Sequence, residues 1–240
     1  MAQRPVAGSG PDGSVPPRRI EVDPERIVKW VNGFAERHGD LTWTSAQEPV
    51  TLPVTLSVTL SVTLSAADGA VAVLEPFAPG PAAGPGGLDG LAGWAAPPEA
   101  IALILVRRGG YAVGLGRGPE LASHKVGTRY VQSRTAAGGW SQHRFARRRD
   151  NQADALVVSV IEHARRIVLA SPTGALVVGG DKALVRDVLA DPRLARLVSL
   201  PRRELFDLPD PRLVVLAQAL RRGRAVRVLL SESGPTPGPA

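Results

Sequence analysis

Residues 50–65, VTLPVTLSVTLSVTLS, place Val or Leu at every even position and Thr, Ser or Pro at every odd one. A strict two-residue period is the pattern of half-buried β-structure, because successive side chains of a strand point to opposite faces. As one uninterrupted strand the stretch would span roughly 53 Å, several times a usual strand. It is therefore expected to bend, to pair with itself, or to overhang its sheet. Its four-residue repeat also leaves both faces unchanged after a slip of four, so the register must be set elsewhere. We read it as a duplicated filler of a hairpin and assign no chemistry to it.

The sequence before this stretch, DPERIVKWVNGFAERHG, predicts a helix. Asp23 can cap it, Pro24 suits its first position, Ile27, Trp30, Val31 and Phe34 recur at helical spacing, and Gly39 stops it. Residues 19–78 thus form an N-terminal α+β subdomain. Residues 1–18 and 231–240 are rich in Gly, Pro and Ser without periodicity and are expected to be disordered tails. Residues 79–97 carry most of the run APGPAAGPGGLDGLAG and read as a Pro/Gly linker.

A second domain is expected over 98–230. IALILVRR, YAVGLGR, LASHKVG and TRYVQSR read as successive short strands, the first two joined at Gly109 and Gly110. Phe145, Gln152, Leu156, Val160, Ala164 and Ile167 then predict one long helix from about 141 to 169. Strand ALVVGG, helix DKALVRDVLAD capped by Asp181, a short segment near LVSLPRRELFDL, helix DPRLVVLAQALRRG and a closing strand AVRVLL follow. An antiparallel meander followed by alternating helices and strands is the order of a ribonuclease-H-like α/β mixed sheet.

Several chemistries are removed early. The chain has no cysteine, which excludes disulfides, thiolate nucleophiles and cysteine-ligated metal sites. His38, His124, His143 and His163 show no metal-ligand spacing. No apolar run reaches the length of a membrane span and the N-terminus has no apolar signal core, so a cytoplasmic protein without a membrane partner is expected. A two-metal nuclease needs clustered carboxylates. The first strand has none; Asp150, Asp154, Glu162 and Asp181 are scattered, and capping and exposed-face roles account for two of them. There is no G-x-S-x-G elbow, and Ser141 and His143 are not a dyad by adjacency alone. No metal and no cofactor are expected.

Charge is focused. Residues 121–149 contain Lys125, Arg129, Arg134, Arg144, Arg147, Arg148 and Arg149 and no acid, giving +7; the remaining 22 basic and 22 acidic residues cancel, so the segment equals the net charge of the chain, +7. Such a focus suits a polyanion. Within it, Gly138 and Gly139 let main-chain N–H groups approach a ligand. Gln142 cannot titrate and so cannot be a general base, but it can orient a water or hydroxyl at an activated ester. The spacing alone leaves a second reading open, in which the glycines make a turn, Gln142 caps the helix and Trp140 packs. Arg144, Arg147 and Arg148 share one face of the helix start, opposite Phe145 and Gln152. Cations there oppose the helix dipole unless an anion is bound, which favours a phosphate-binding face.

HKVGTRYVQSRTAAGGWSQHRFARRRDNQADAL, residues 124–156, resembles the Vms-like release-factor domain family, in particular its actinobacterial branch, related to the catalytic domain of eukaryotic and archaeal class I release factors. The similarity runs from about residue 20 to 230. It implies a metal-independent peptidyl-tRNA hydrolase that acts, without reading a codon, on stalled large ribosomal subunits. Gly139, Trp140, Ser141 and Gln142 match the family's Gly-x-x-Gln, with Gln142 as the catalytic glutamine that positions water at the ester and Gly139 beside it. Gly138, Trp140 and Ser141 would support the loop, and the seven basic residues above would bind RNA. The implied partners are peptidyl-tRNA and large-subunit RNA, with the protein a monomer off the ribosome. In this chain Trp-Ser separates the glutamine from the glycine pair, and neither a codon-reading domain nor the zinc finger of eukaryotic relatives is recognisable. The alternative from another class is a non-catalytic RNA- or ribosome-binding module on the same fold; a metal nuclease comes third.

Overall fold

The period-two stretch is divided between two antiparallel strands, β2 (Leu41–Thr51) and β3 (Leu56–Ala66). Among the described residues, Val50 pairs with Ser57 and Thr51 with Leu56 within the stretch, and residues 58–65 lie opposite residues 42–49. Register is set at the other end of the hairpin, where Trp43 sits opposite Leu64 and packs against the core. A slip of four would take Trp43 away from that site. The next strand, β4 (Val71–Glu75), pairs β3 only over Val62–Ser65, so the hairpin does overhang its sheet.

This computed structural model describes residues 16–51, 56–77, 84–128 and 141–232, which fall into two compact units. The first unit runs through residue 97 and resumes at residue 225; the second begins at 98 and ends at 224. Most of the sequence expected to form disordered tails, and the first part of the expected linker, lie outside the described residues.

The first unit is a fully antiparallel five-stranded sheet. Besides β2 to β4 it contains β1 (Arg18–Val22) at one edge and the last strand of the chain. That strand, residues 226–231, was expected to close the second domain, and the structure corrects this. It lies between β1 and β4, with Val226, Val228 and Leu230 buried in the first core. Alternation explains the choice: Arg227, Leu229 and Ser231 take the other face, which suits a sheet covered on one side only. Two helices cover the core face. α1 (Ile27–His38) buries Ile27, Val31 and Phe34 and ends at Gly39, whose φ of 88° favours glycine. α2 (Leu88–Trp94) is a second correction, because it lies within the stretch expected to be a linker and buries Leu91 and Trp94 completely or nearly so. Trp94→Ala is expected to cost about 3–5 kcal/mol, measured as a shift of the urea midpoint of this unit. His38 fastens the end of α1 to the β3–β4 turn through Asp68 at 2.7 Å, and Asp68 also accepts from Ala70 N.

The second unit is a mixed five-stranded sheet with helices on both faces. Strands β5 (Ala100–Arg107), β6 (Gly110–Arg117) and β7 (Glu120–Thr128) form the expected meander, and β8 (Ala175–Gly180) and β9 (Arg202–Leu205) extend it in parallel, giving the order β7-β6-β5-β8-β9. β5 is buried on both faces, which accounts for its unbroken apolar run. Ala102, Ile104 and Val106 face α3 (Ser141–Ile167) and α4 (Lys182–Leu189), with a 3-10 turn and α5 (Ala195–Val198) closing that side. The opposite face receives α6 (Leu213–Arg224), whose Leu220 lies so close to Gly116 that a side chain there would have to displace it. Arg203, buried on β9, donates from Nη1 to Gly223 O at 3.1 Å and so binds the end of α6 to the sheet. Thr128, the first residue of the strand expected over 128–134, is the last of β7, and residues 129–134 lie outside the described residues.

Asp181 caps α4 as expected, its Oδ1 accepting from Ala183 N at 2.9 Å and Leu184 N at 3.4 Å. Asp181→Ala is expected to destabilise the second unit by about 1 kcal/mol, read from denaturant unfolding.

Candidate functional site

α3 is the element on which the candidate site is built. Its 27 residues span about 40 Å at 1.5 Å per residue. Its described core contacts begin at Ala153 and continue through Leu156, Val160, Ile161 and Ala164. Ser141 and Gln142 open the helix, so Gln142 lies roughly 16 Å along the axis before the first of these contacts. Arg144, Arg147, Arg148 and Arg149 occupy the turns between. Gly138, Gly139 and Trp140, with Arg129 and Arg134, lie outside the described residues. The connection they belong to leaves β7 at Thr128 and enters α3 at Ser141.

Lys125, on β7, is the one predicted RNA-binding residue whose side chain the structure describes. It is exposed and sits opposite Val113 of β6, two residues along from Tyr111, and both those side chains join the core under α3. It therefore belongs to the α3 face of the sheet. Near it lies a group that sequence reading missed. Tyr111 stacks on His163 of α3 with ring centroids 5.4 Å apart and planes 21° from parallel. Tyr111 can lie across β7 because its cross-strand neighbour is Gly127, where a Cβ would meet the ring at 2.5 Å. Arg166, one turn further along α3, places Nη2 3.1 Å from His163 Nδ1. The signal was the three-residue spacing of His163 and Arg166 on one helix face, a pair whose partner strand residues only the fold supplies.

His163 is held neutral. Burial lowers its pKa from 6.5, Arg166 and Lys125 lower it further, and Glu162 opposes them. A histidine with a depressed folded pKa contributes stability that is present in full above its unfolded value and is lost as the pH falls through the folded one. The thermal midpoint is thus expected to drop as the pH is lowered from 6.5, with His163→Asn reducing that drop when both are scanned between pH 5 and pH 8.

Two of the acids considered for a nuclease are engaged. Glu162 accepts from Arg193 Nη1 at 2.6 Å and lies 3.5 Å from Arg165, while Asp181 caps α4. Arg193 also binds Asp191 and holds its carboxyl down at about 2. Among the described residues no three His, Cys, Asp or Glu side chains stand together as a metal site would require. No helix among them is long and apolar enough to cross a membrane.

The long helix α3 is thus entered from the edge strand β7 through a connection whose sequence contains glycine, with arginines grouped in its first turns. Residues 99–229 match the family described as the Actinobacteria/chloroflexi VLRF1 release factor. This is more than half of the chain, and the protein belongs to that family of release factors. Among solved structures, one titled "Vms1 mitochondrial localization core" aligns at 12% identity and a TM-score of 0.42, covering 69% of this chain and 74% of that one. Another, titled "Archaeal protein", aligns at 13% identity and a TM-score of 0.24, covering 88% and 69%. No curated protein sequence matches the chain.

Proposed function

We propose that the protein is a codon-independent peptidyl-tRNA hydrolase of the cytoplasm that acts on stalled large ribosomal subunits. The observation that carries the reading is the release-factor family match over 99–229, which spans Gln142 and the charged turns behind it. The strand order of the second unit, three antiparallel strands followed by two parallel ones, supports a ribonuclease-H-like classification of that unit.

The reaction joins water to the ester carbonyl carbon and expels the ribose 3′ oxygen of the terminal tRNA nucleotide. Gln142 contributes orientation: its carbonyl accepts from the attacking water, and its amide hydrogens donate to an oxygen on which charge develops. The proton released by the water does not rest on the glutamine; it ends on the departing 3′ oxygen. Gly139, with Gly138, Trp140 and Ser141, shapes the connection. Arg144, Arg147, Arg148 and Arg149, with Arg129, Arg134 and Lys125, hold RNA phosphates, consistent with a segment of +7 that contains no acid. No metal or cofactor takes part. One competing reading is a module on the same fold that binds ribosomal RNA and has no hydrolytic activity.

The test is direct. Full-length protein is mixed with stalled large-subunit complexes carrying labelled peptidyl-tRNA, in buffer containing a metal chelator specific for transition metals, and free peptide is followed. Release that rises with protein concentration is the expected result. RNA binding without release, even at stoichiometric protein, would select the non-catalytic module.

A further inference from the structure

We propose that Arg166, positioned by His163, joins Lys125 in a phosphate-binding site for RNA on the core-bound half of α3, Arg166 lying about 36 Å along that helix from Gln142. The inference rests on the release-factor reading only for the choice of RNA as the polyanion. The site itself follows from the arrangement of the three side chains.

An arginine is always a donor, so the 3.1 Å contact between Arg166 Nη2 and His163 Nδ1 requires that nitrogen to accept. The ring proton then resides on Nε2, and the ring is neutral with one donor free of this contact. The stack on Tyr111 fixes the plane of the imidazole, and Gly127 gives the tyrosine ring its place across the edge strand. The guanidinium of Arg166 is thereby held by a neutral partner that leaves its charge uncompensated. Lys125 brings a second cation to the same face from β7, the edge strand of the sheet.

Neither cation has a carboxylate within ion-pair distance among the described residues. This contrasts with Arg107, Arg117, Arg165, Arg186, Arg193 and Arg202 of the same unit, each of which has one. The acid closest in sequence, Glu162, lines a groove of about 350 Å³ with Arg165, Arg166 and Leu169 and is already engaged by Arg193 and Arg165. A guanidinium and an ammonium on one face match the oxygens of a phosphodiester. The same strand continues into the acid-free segment 121–149, so a chain of phosphates rather than a single anion fits the charge.

The experiment measures binding of the full chain to a labelled RNA stem–loop of about 20 nucleotides between 50 and 200 mM KCl, by anisotropy. Removing one phosphate contact lowers the slope of log affinity against log salt by about 0.7–0.9, so that Lys125→Gln and Arg166→Gln each lose about threefold less affinity across that range than wild type. Lys125→Arg retains the slope. Arg186→Gln, an equal change of charge elsewhere on the unit, also leaves it unchanged. Wild-type slopes in both glutamine variants, or an equal fall in Arg186→Gln, would overturn the site. Polyglutamate of equal charge competing as well as RNA would overturn the assignment to RNA. The two readings fail separately: a protein that releases no peptide but shows the slope changes keeps this site and loses the hydrolase, and the converse keeps the hydrolase alone.

Discussion

Gln142→Ala is expected to slow peptide release from stalled large-subunit complexes by about 10²–10³-fold, the range seen when one preorganised polar group is removed from a site of developing charge. RNA affinity and its salt dependence are expected to stay at wild-type values, because the substitution removes no cation. The separation matters for interpretation. A loss of release at saturating protein with unchanged binding locates the defect in the chemical step, whereas a weaker complex would raise the concentration needed without lowering the limiting rate. Alanine is also a good helix former, so the substitution at the second residue of α3 is not expected to unravel the helix. Full release by Gln142→Ala would remove the glutamine from the mechanism. Gln142→Glu is expected to be as slow as the alanine variant near neutral pH, since a carboxylate has no hydrogen to donate and sets a negative charge beside a developing oxyanion.

Ending the chain after Arg224 is expected to unfold the first unit and leave the second in place. Among the described residues, the strand removed, β10 (Val226–Ser231), is the only partner of β1 and one of two partners of β4. With it go Val226, Val228 and Leu230, all buried in the first core. At about 1.5–3 kcal/mol per buried aliphatic side chain the loss is roughly 5–9 kcal/mol, comparable with the whole stability of a small domain. Limited proteolysis followed by mass spectrometry checks this. Cleavage is expected within 16–97, with a protected fragment that begins near residue 98. Equal protection of both units would show that the remaining strands suffice.

Much of the second unit was legible because its elements are set by local rules. Asp181 marks the start of α4 by capping chemistry, the spacing of Leu156, Val160 and Ala164 marks the buried stripe of α3, and the unbroken apolar run of β5 marks a strand covered on both faces. The first unit was harder to read, for physical reasons. Gly and Pro around α2 disguise a helix whose stability comes from burying Leu91 and Trp94, a tertiary effect that overrides propensity. The alternating pattern of 226–231 states that a strand is covered on one face, but a pattern contains no address, so nothing local says which sheet receives it. At the candidate site, the RNA-binding role of Lys125 could be proposed from charge alone. Tyr111, Gly127, His163 and Arg166 could not be grouped, because the register of β6 with β7 pairs the first two and the packing of α3 on the sheet brings His163 and Arg166 to them, and only the fold supplies both.

The placement of β10 also orders events in time during the protein's own synthesis. β1 is among the first described segments to be made and its partner, β10, is the last of them, with roughly 200 residues between the two, or about 10–40 s of translation. The second unit, ending at residue 224, is complete in sequence before that partner exists. Through this interval β1 has no strand to pair with and β4 has one edge open, and open edges are where chains add to one another. A protein proposed to rescue unfinished translation therefore cannot complete its own first sheet until the residues of β10 have been added.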